Sequence, residues 1–116
     1  MPGKRARPRP CEPQIRHLAM YDLDYTERAW EDFAFFRKYD QRIIQDAINR
    51  RLRGQPNWET RQRIRLRPNA LAEWELRAGD FRVFYDVLEE ARKVKIIAIG
   101  YKQGNKVFIR GEESEL

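Results

Sequence analysis

Arginine occupies every second position of TRQRIRLRP, from Thr60 to Pro68: Arg61, Arg63, Arg65 and Arg67, with Gln62, Ile64 and Leu66 between them. Successive side chains of an extended chain point to opposite faces, so a strand here carries four guanidiniums on one side and a mostly apolar stripe on the other. A guanidinium is a planar fork of donors that fits phosphate oxygens, and such a ladder is the footprint of a protein that tracks a polyanion. A merely solvated basic face is the plainer reading. The charge is clustered: seven arginines between Arg50 and Arg67 stand against one acid, Glu59, which accounts for the whole net charge of +6. A second group, Lys4, Arg5, Arg7 and Arg9, is balanced by acids elsewhere.

Other reactive groups are sparse. Glu73 and Glu75 share one face of AEWELR, an arrangement that serves proton transfer or simply meets water. His17 is the single histidine and Cys11 the single cysteine. Neither has metal-ligand spacing around it, and GYKQGN lacks the Lys-Ser/Thr ending of a phosphate loop, so neither metal nor cofactor is expected. One cysteine excludes an internal disulfide and fits a reducing compartment. The apolar stretches are far shorter than the ~20 residues of a membrane span. The opening MPGKRARPRP is basic with no apolar run behind it, unlike a secretory signal. A cytoplasmic protein with no membrane partner is expected.

Several elements must position these groups. Residues 1–13 hold four of the six prolines and four basic residues and are expected to form a flexible basic arm. Residues 14–116 are expected to form one domain, 41% of the sequence being hydrophobic and 12% aromatic. IRHLAMYDLDY, Ile15 to Tyr25, reads as a strand. Asp24 or Thr26 then caps a helix whose apolar positions are Ala29, Trp30, Phe33 and Phe36. Asp40 is expected to cap a second helix carrying Ile43, Ile44, Ala47, Ile48 and Leu52, stopped by Gly54 and Pro56. So short a link implies an antiparallel helix hairpin.

Beyond Asn57 the period becomes two. Trp74 and Leu76 alternate with Glu73, Glu75 and Arg77, Ala78-Gly79-Asp80 makes a tight turn, and FRVFYDV follows. A charged turn from Leu88 to Lys93 leads to VKIIAIG, apolar on both faces as a central strand is, and KVFIRG ends the series. The order gives an α+β fold: an N-terminal strand, a two-helix hairpin, then an antiparallel meander of three to four strands with the helices on one face. Ile64 and Leu66 are expected to face those helices.

LRPNALAEWELRAGDFRVFYDV followed by VKIIAIGYKQGNKVFIRGEE resembles the toxins of the RelE/ParE superfamily, from bacterial type II toxin–antitoxin pairs. The likeness runs from about Met20 to Ile109 and is strongest in WELRAGDFRVFYDV. It implies two helices on a small antiparallel sheet, a cognate acidic antitoxin, and one of two activities. RelE-like members cut messenger RNA in the ribosome; ParE-like members bind and poison DNA gyrase without catalysis. A third outcome is a plain RNA-binding or interaction module on the same fold. For the messenger-cutting reading the resemblance assigns phosphate stabilisation to Arg82, with Arg77 and Lys102 as further basic groups. Glu73 and Glu75 stand where RelE itself carries lysines, and Phe108 where it carries a reactive tyrosine; Tyr101 is the hydroxyl nearest in sequence to Lys102. The ladder Arg61, Arg63, Arg65 and Arg67 would hold RNA phosphates or meet the acidic antitoxin.

Overall fold

The computed structural model describes residues 20–114. The N-terminal arm, Cys11, His17 and the first part of the expected strand, residues 15–19, lie outside the described residues. What remains of that strand is β1 (Asp22–Tyr25), which pairs in parallel with β5 (Lys93–Gln103), Asp22 opposite Lys93.

Thr26 ends β1 and begins α1 (Glu27–Phe35). Its hydroxyl accepts from the Ala29 amide at 3.0 Å and donates to the Ile97 carbonyl at 3.1 Å, so one side chain caps the helix and ties it to β5. Phe36 breaks the helix, and α2 (Lys38–Leu52) follows at once. Gln41 spans the break: its amide donates to the carbonyl of Phe36 and to that of Phe33, which also accepts from the Phe36 amide. Asp40 is not the cap of α2. Arg37 occupies that position without a side-chain bond, and Asp40 lies in the first turn, where its charge favours the helix dipole.

The helices cover one face of the sheet through Ala29, Ile44, Ala47, Ile48 and Leu52, packed on Trp74, Leu76, Val83, Tyr85, Val94, Ile96 and Ile99. Two expected core residues are placed otherwise. Trp30 is half exposed and stacks on Tyr25, and Ile43 is also exposed; Asp32, unremarked in the sequence, is fully buried instead.

The sheet has the order β2 (Arg63–Arg65), β3 (Trp74–Ala78), β4 (Phe81–Leu88), β5, β6 (Lys106–Ile109), β7 (Glu112–Ser114), antiparallel throughout apart from β1. This is the expected α+β arrangement, extended by the short strands β2 and β7. β1 and β6 share the edge of β5 that β4 leaves open: β1 pairs as far as Ile96 and β6 starts at Tyr101. The face away from the helices holds a second, smaller cluster, in which Leu66 and Leu71 fold over Ala72, Phe84, Ala98 and Ile109.

Register corrects the orientation of the arginine ladder. Arg63 pairs with Leu76 and Arg65 with Trp74, so both lie on the helix side, while Ile64 lies opposite Glu75. Leu66 belongs to the cluster on the far face. The apolar stripe thus looks away from the helices, because paired residues share a face and the partners of Arg63 and Arg65, Leu76 and Trp74, are on the helix side.

Candidate functional site

The β3–β4 hairpin closes through two residues, Gly79 and Asp80, with Ala78 opposite Phe81. Gly79 has φ 61°, a conformation open to glycine and costly for most side chains. This turn sets the register that places Arg77 directly across from Arg82 on the helix-free face.

Glu75, on the same face, is buried at 5% exposure and stands between the two arginines. Its Oε2 accepts from Arg77 Nε at 2.7 Å and lies 3.6 Å from Arg82 Nε. Arg82 is buried as well, and its Nη1 donates to the carbonyls of Gly79 at 2.7 Å and Phe81 at 2.9 Å. Burial pulls the Arg82 guanidinium below its ordinary value, Glu75 opposes that pull, and neighbouring Arg77 adds to it. Two guanidiniums share one carboxylate, so the cluster keeps a surplus positive charge.

Gly100 lies across β5 from Arg82. A methyl group there would stand 2.3 Å from the Phe108 carbonyl oxygen, so a glycine is required for β6 to approach. Two residues on, Lys102 alternates onto the same face as Gly100 and is exposed, its amide bonded to the Asp80 carbonyl at 2.6 Å.

The remaining candidates do not join this group. Tyr101 and Phe108 pair across β5 and β6 on the helix side and stack on each other, with ring centroids 5.6 Å apart. Tyr101 also stacks against Phe35 and meets Phe36 edge-on. A cleft of about 620 Å³ opens here, lined by Phe35, Phe36 and Tyr101 with Asp40, Asp80 and Lys102. Glu73 and Glu75 are not an equivalent pair: Glu75 is engaged by arginine, whereas Glu73 is exposed beside the 65–72 loop.

The ladder is divided. Arg63 is buried, its Nε donating to the Trp58 carbonyl at 2.9 Å and its Nη1 to the Arg51 carbonyl at 3.0 Å. It holds the 51–58 segment against the sheet. Arg65 lies over the Trp74 ring at 5.6 Å, and Arg61, Arg65 and Arg67 are exposed. Three guanidiniums of the four are therefore presented to solvent.

Asp32 is the buried group that sequence reading missed. Its Oδ2 accepts from the Ile99 amide at 3.0 Å, and its Oδ1 is 2.8 Å from Arg110 Nε without hydrogen-bond alignment. Burial raises its carboxyl above the ordinary range, against the Ile99 amide, Arg110 and Arg28. An acid at an apolar position of the first helix was the available signal.

No protein-family model matches the sequence, and no curated protein matches it. Solved structures do. The chain is similar to one in the toxin–antitoxin complex RelBE2 of Mycobacterium tuberculosis, at 19% identity and TM-score 0.63, over 72% of this chain and 99% of that one. It also matches a chain of the intact RelBE toxin–antitoxin complex of E. coli at 20% identity and TM-score 0.44, over the same shares. At this identity the likeness is one of fold: the chain shares the α+β fold of the matched chain of the RelBE2 complex. Among the described residues no helix is long and apolar enough to cross a membrane.

Proposed function

We propose that this chain is the toxin of a type II toxin–antitoxin pair and that it cuts messenger RNA on the ribosome. The observation that carries the reading is the Glu75, Arg77 and Arg82 cluster on the helix-free face. Fixed positive charge in a partly dry site is what a phosphate gaining negative charge in its transition state requires. In this mechanism the RNA 2′-oxygen attacks the adjacent phosphorus, the bond to the 5′-oxygen breaks, and a cyclic phosphate and a free 5′-hydroxyl result. Arg82 and Arg77 stabilise the pentavalent phosphorus. Glu73, level with Asp86 and four residues along the chain from Arg77, is too far from that phosphate to act on it; the 2′-hydroxyl proton passes to water, and Lys102 returns one to the leaving oxygen. Arg61, Arg65 and Arg67 hold flanking phosphates. An acidic antitoxin neutralises the chain by covering the same charge, and the cytoplasm is where both partners meet.

A second reading, a ParE-like toxin that binds gyrase, draws support from one feature: two donor bonds of Arg82 already go to backbone carbonyls, and no tyrosine hydroxyl accompanies it on its face. Pulse labelling after induction separates the two. An early fall in protein synthesis, with purified protein cutting ribosome-bound messenger, supports the first. An early fall in DNA synthesis with messenger intact sinks it in favour of gyrase.

A further inference from the structure

Like charges that face each other on neighbouring strands repel, and Arg77 faces Arg82. The Arg77 amide donates to the Gln62 carbonyl on the side away from β4, so the two arginines form a non-hydrogen-bonded pair, the kind that brings facing side chains closest. Two guanidiniums stay together there only if something holds them. They are not held alike. Arg82 is fixed by its own hairpin, its Nη1 donating to the carbonyls of Gly79 and Phe81. The Arg77 side chain has one partner among the described residues, Glu75, two positions earlier on the same face of β3.

Glu75 lies beneath Arg77 and not in front of it: its side chain is 7% exposed and that of Arg77 48%. A carboxylate in front of the guanidiniums would compete with an incoming anion. One behind them takes the Nε edge and leaves the outer donors. Among the described residues, both Nη nitrogens of Arg77 and the Nη2 of Arg82 have no hydrogen-bond partner. Paired donors of this kind are what a two-pronged phosphate contact uses.

We propose that Glu75 is the positioning residue of this site: it acts through Arg77, holding that guanidinium beside Arg82 so that both meet one phosphate. The proposal rests on the messenger-cutting reading and deepens it. Glu75 touches no reacting atom and moves no proton. Its charge offsets the repulsion between the two arginines, and its length sets where the Arg77 fork stops. Placement of this kind counts heavily in rate, since an error of about 1 Å costs roughly a hundredfold.

The test uses the full chain and single-turnover cleavage of ribosome-bound messenger. Glu75→Asp keeps the charge but is one carbon shorter, and should slow cleavage about ten- to a hundredfold. Glu75→Gln keeps the length without the charge and should also be slower than wild type. Combined with Arg77→Ala, Glu75→Asp should add no further loss, because its effect passes through the arginine already removed. Full rate in Glu75→Asp would reduce Glu75 to a counter-charge, a faster Glu75→Gln would make it a brake, and losses that multiply in the double variant would separate it from Arg77; each overturns the proposal. A second readout needs no cleavage: inorganic pyrophosphate is titrated while the Nε–H NMR signals of Arg77 and Arg82 are followed. Both should shift along one binding curve in wild type, and the Arg77 signal should fall out of step in Glu75→Asp. Pyrophosphate that moves only one signal, or neither, would overturn the proposal. Joint shifts with messenger left intact would support the two-arginine clamp and remove the messenger-cutting reading alone.

Discussion

The carboxylate of Asp32 on α1 accepts a 3.0 Å hydrogen bond from the backbone amide of Ile99 on β5, 67 residues later in the chain. The amide needs this partner because it falls in the gap between β1, which pairs with β5 as far as Ile96, and β6, which begins at Tyr101. A helix side chain fills the place of a missing strand. Asp32→Ala leaves a buried amide unpaired and takes from the Arg110 guanidinium one of its two carboxylates, Glu31 remaining, and should cost about 2–4 kcal/mol in urea unfolding. Asp32→Asn keeps an acceptor and should cost less. The folded-state carboxyl is raised by burial, so the folded chain holds this proton more firmly than the unfolded one. Its contribution is complete below the ordinary carboxylate range and is lost as pH rises through the raised value. Asp32→Asn should remove that decline, and an identical pH profile in the variant would refute the assignment.

On the proposed reading, Arg82 joins chemistry to folding. Arg82→Ala should slow messenger cleavage by about a hundred- to a thousandfold, as loss of one transition-state donor does. Its side chain is buried and bonded to the hairpin carbonyls, so the same change should also destabilise the fold by about 2–3 kcal/mol. Arg82→Lys should recover part of the stability and little of the rate, because a point charge cannot copy the planar fork. Full toxicity in a folded Arg82→Ala protein would move the reading to gyrase.

The divided ladder gives unequal salt effects. Three exposed arginines on RNA phosphates imply a log–log slope of affinity against salt of roughly −2, at about −0.7 for each contact on a single strand. Arg61→Gln with Arg67→Gln should flatten it to a third. Arg63→Gln should leave the slope alone and cost about 2 kcal/mol of stability, by freeing the carbonyls of Trp58 and Arg51. A slope that responds to Arg63 as it does to Arg61 would contradict the inward placement.

Tyr85 sets an alkaline limit. Its hydroxyl is buried and donates to the Pro56 carbonyl at 2.6 Å, and burial raises its ionisation well above the ordinary tyrosine value, with Arg63 opposing. The stability it supplies is complete below about pH 10, the unfolded value, and falls as pH rises beyond it. Tyr85→Phe should cost about 1–2 kcal/mol at neutral pH and flatten the alkaline limb of a denaturation profile. An unaltered limb would place the alkaline transition elsewhere.

The parts of this structure that were legible in the sequence are those set by local rules. Thr26 caps as its position before the first helical period suggests, and Gly79 fixes the hairpin that puts Arg77 across from Arg82. Residues whose place depends on distant neighbours were read wrongly or missed. Arg63 turns inward because Trp58 and Arg51 offer it carbonyls, and Asp32 is drawn into the core by an amide that only the sheet's topology leaves free. Alternation alone placed Glu73 and Glu75 together, but burial and two guanidiniums make only one of them an ion-paired group.

β5 is also the strand on which synthesis of the molecule turns. β1 pairs with it alone, and Thr26 and Asp32 of the first helix bond to its residues 97 and 99. These partners are translated about seventy residues after the segment that needs them. While the chain is still emerging from the ribosome, β1 and α1 have no sheet to dock on, and non-local pairing of this kind closes late. A protein whose proposed target is the translating ribosome thus docks its first strand and helix only after β5 has itself been translated.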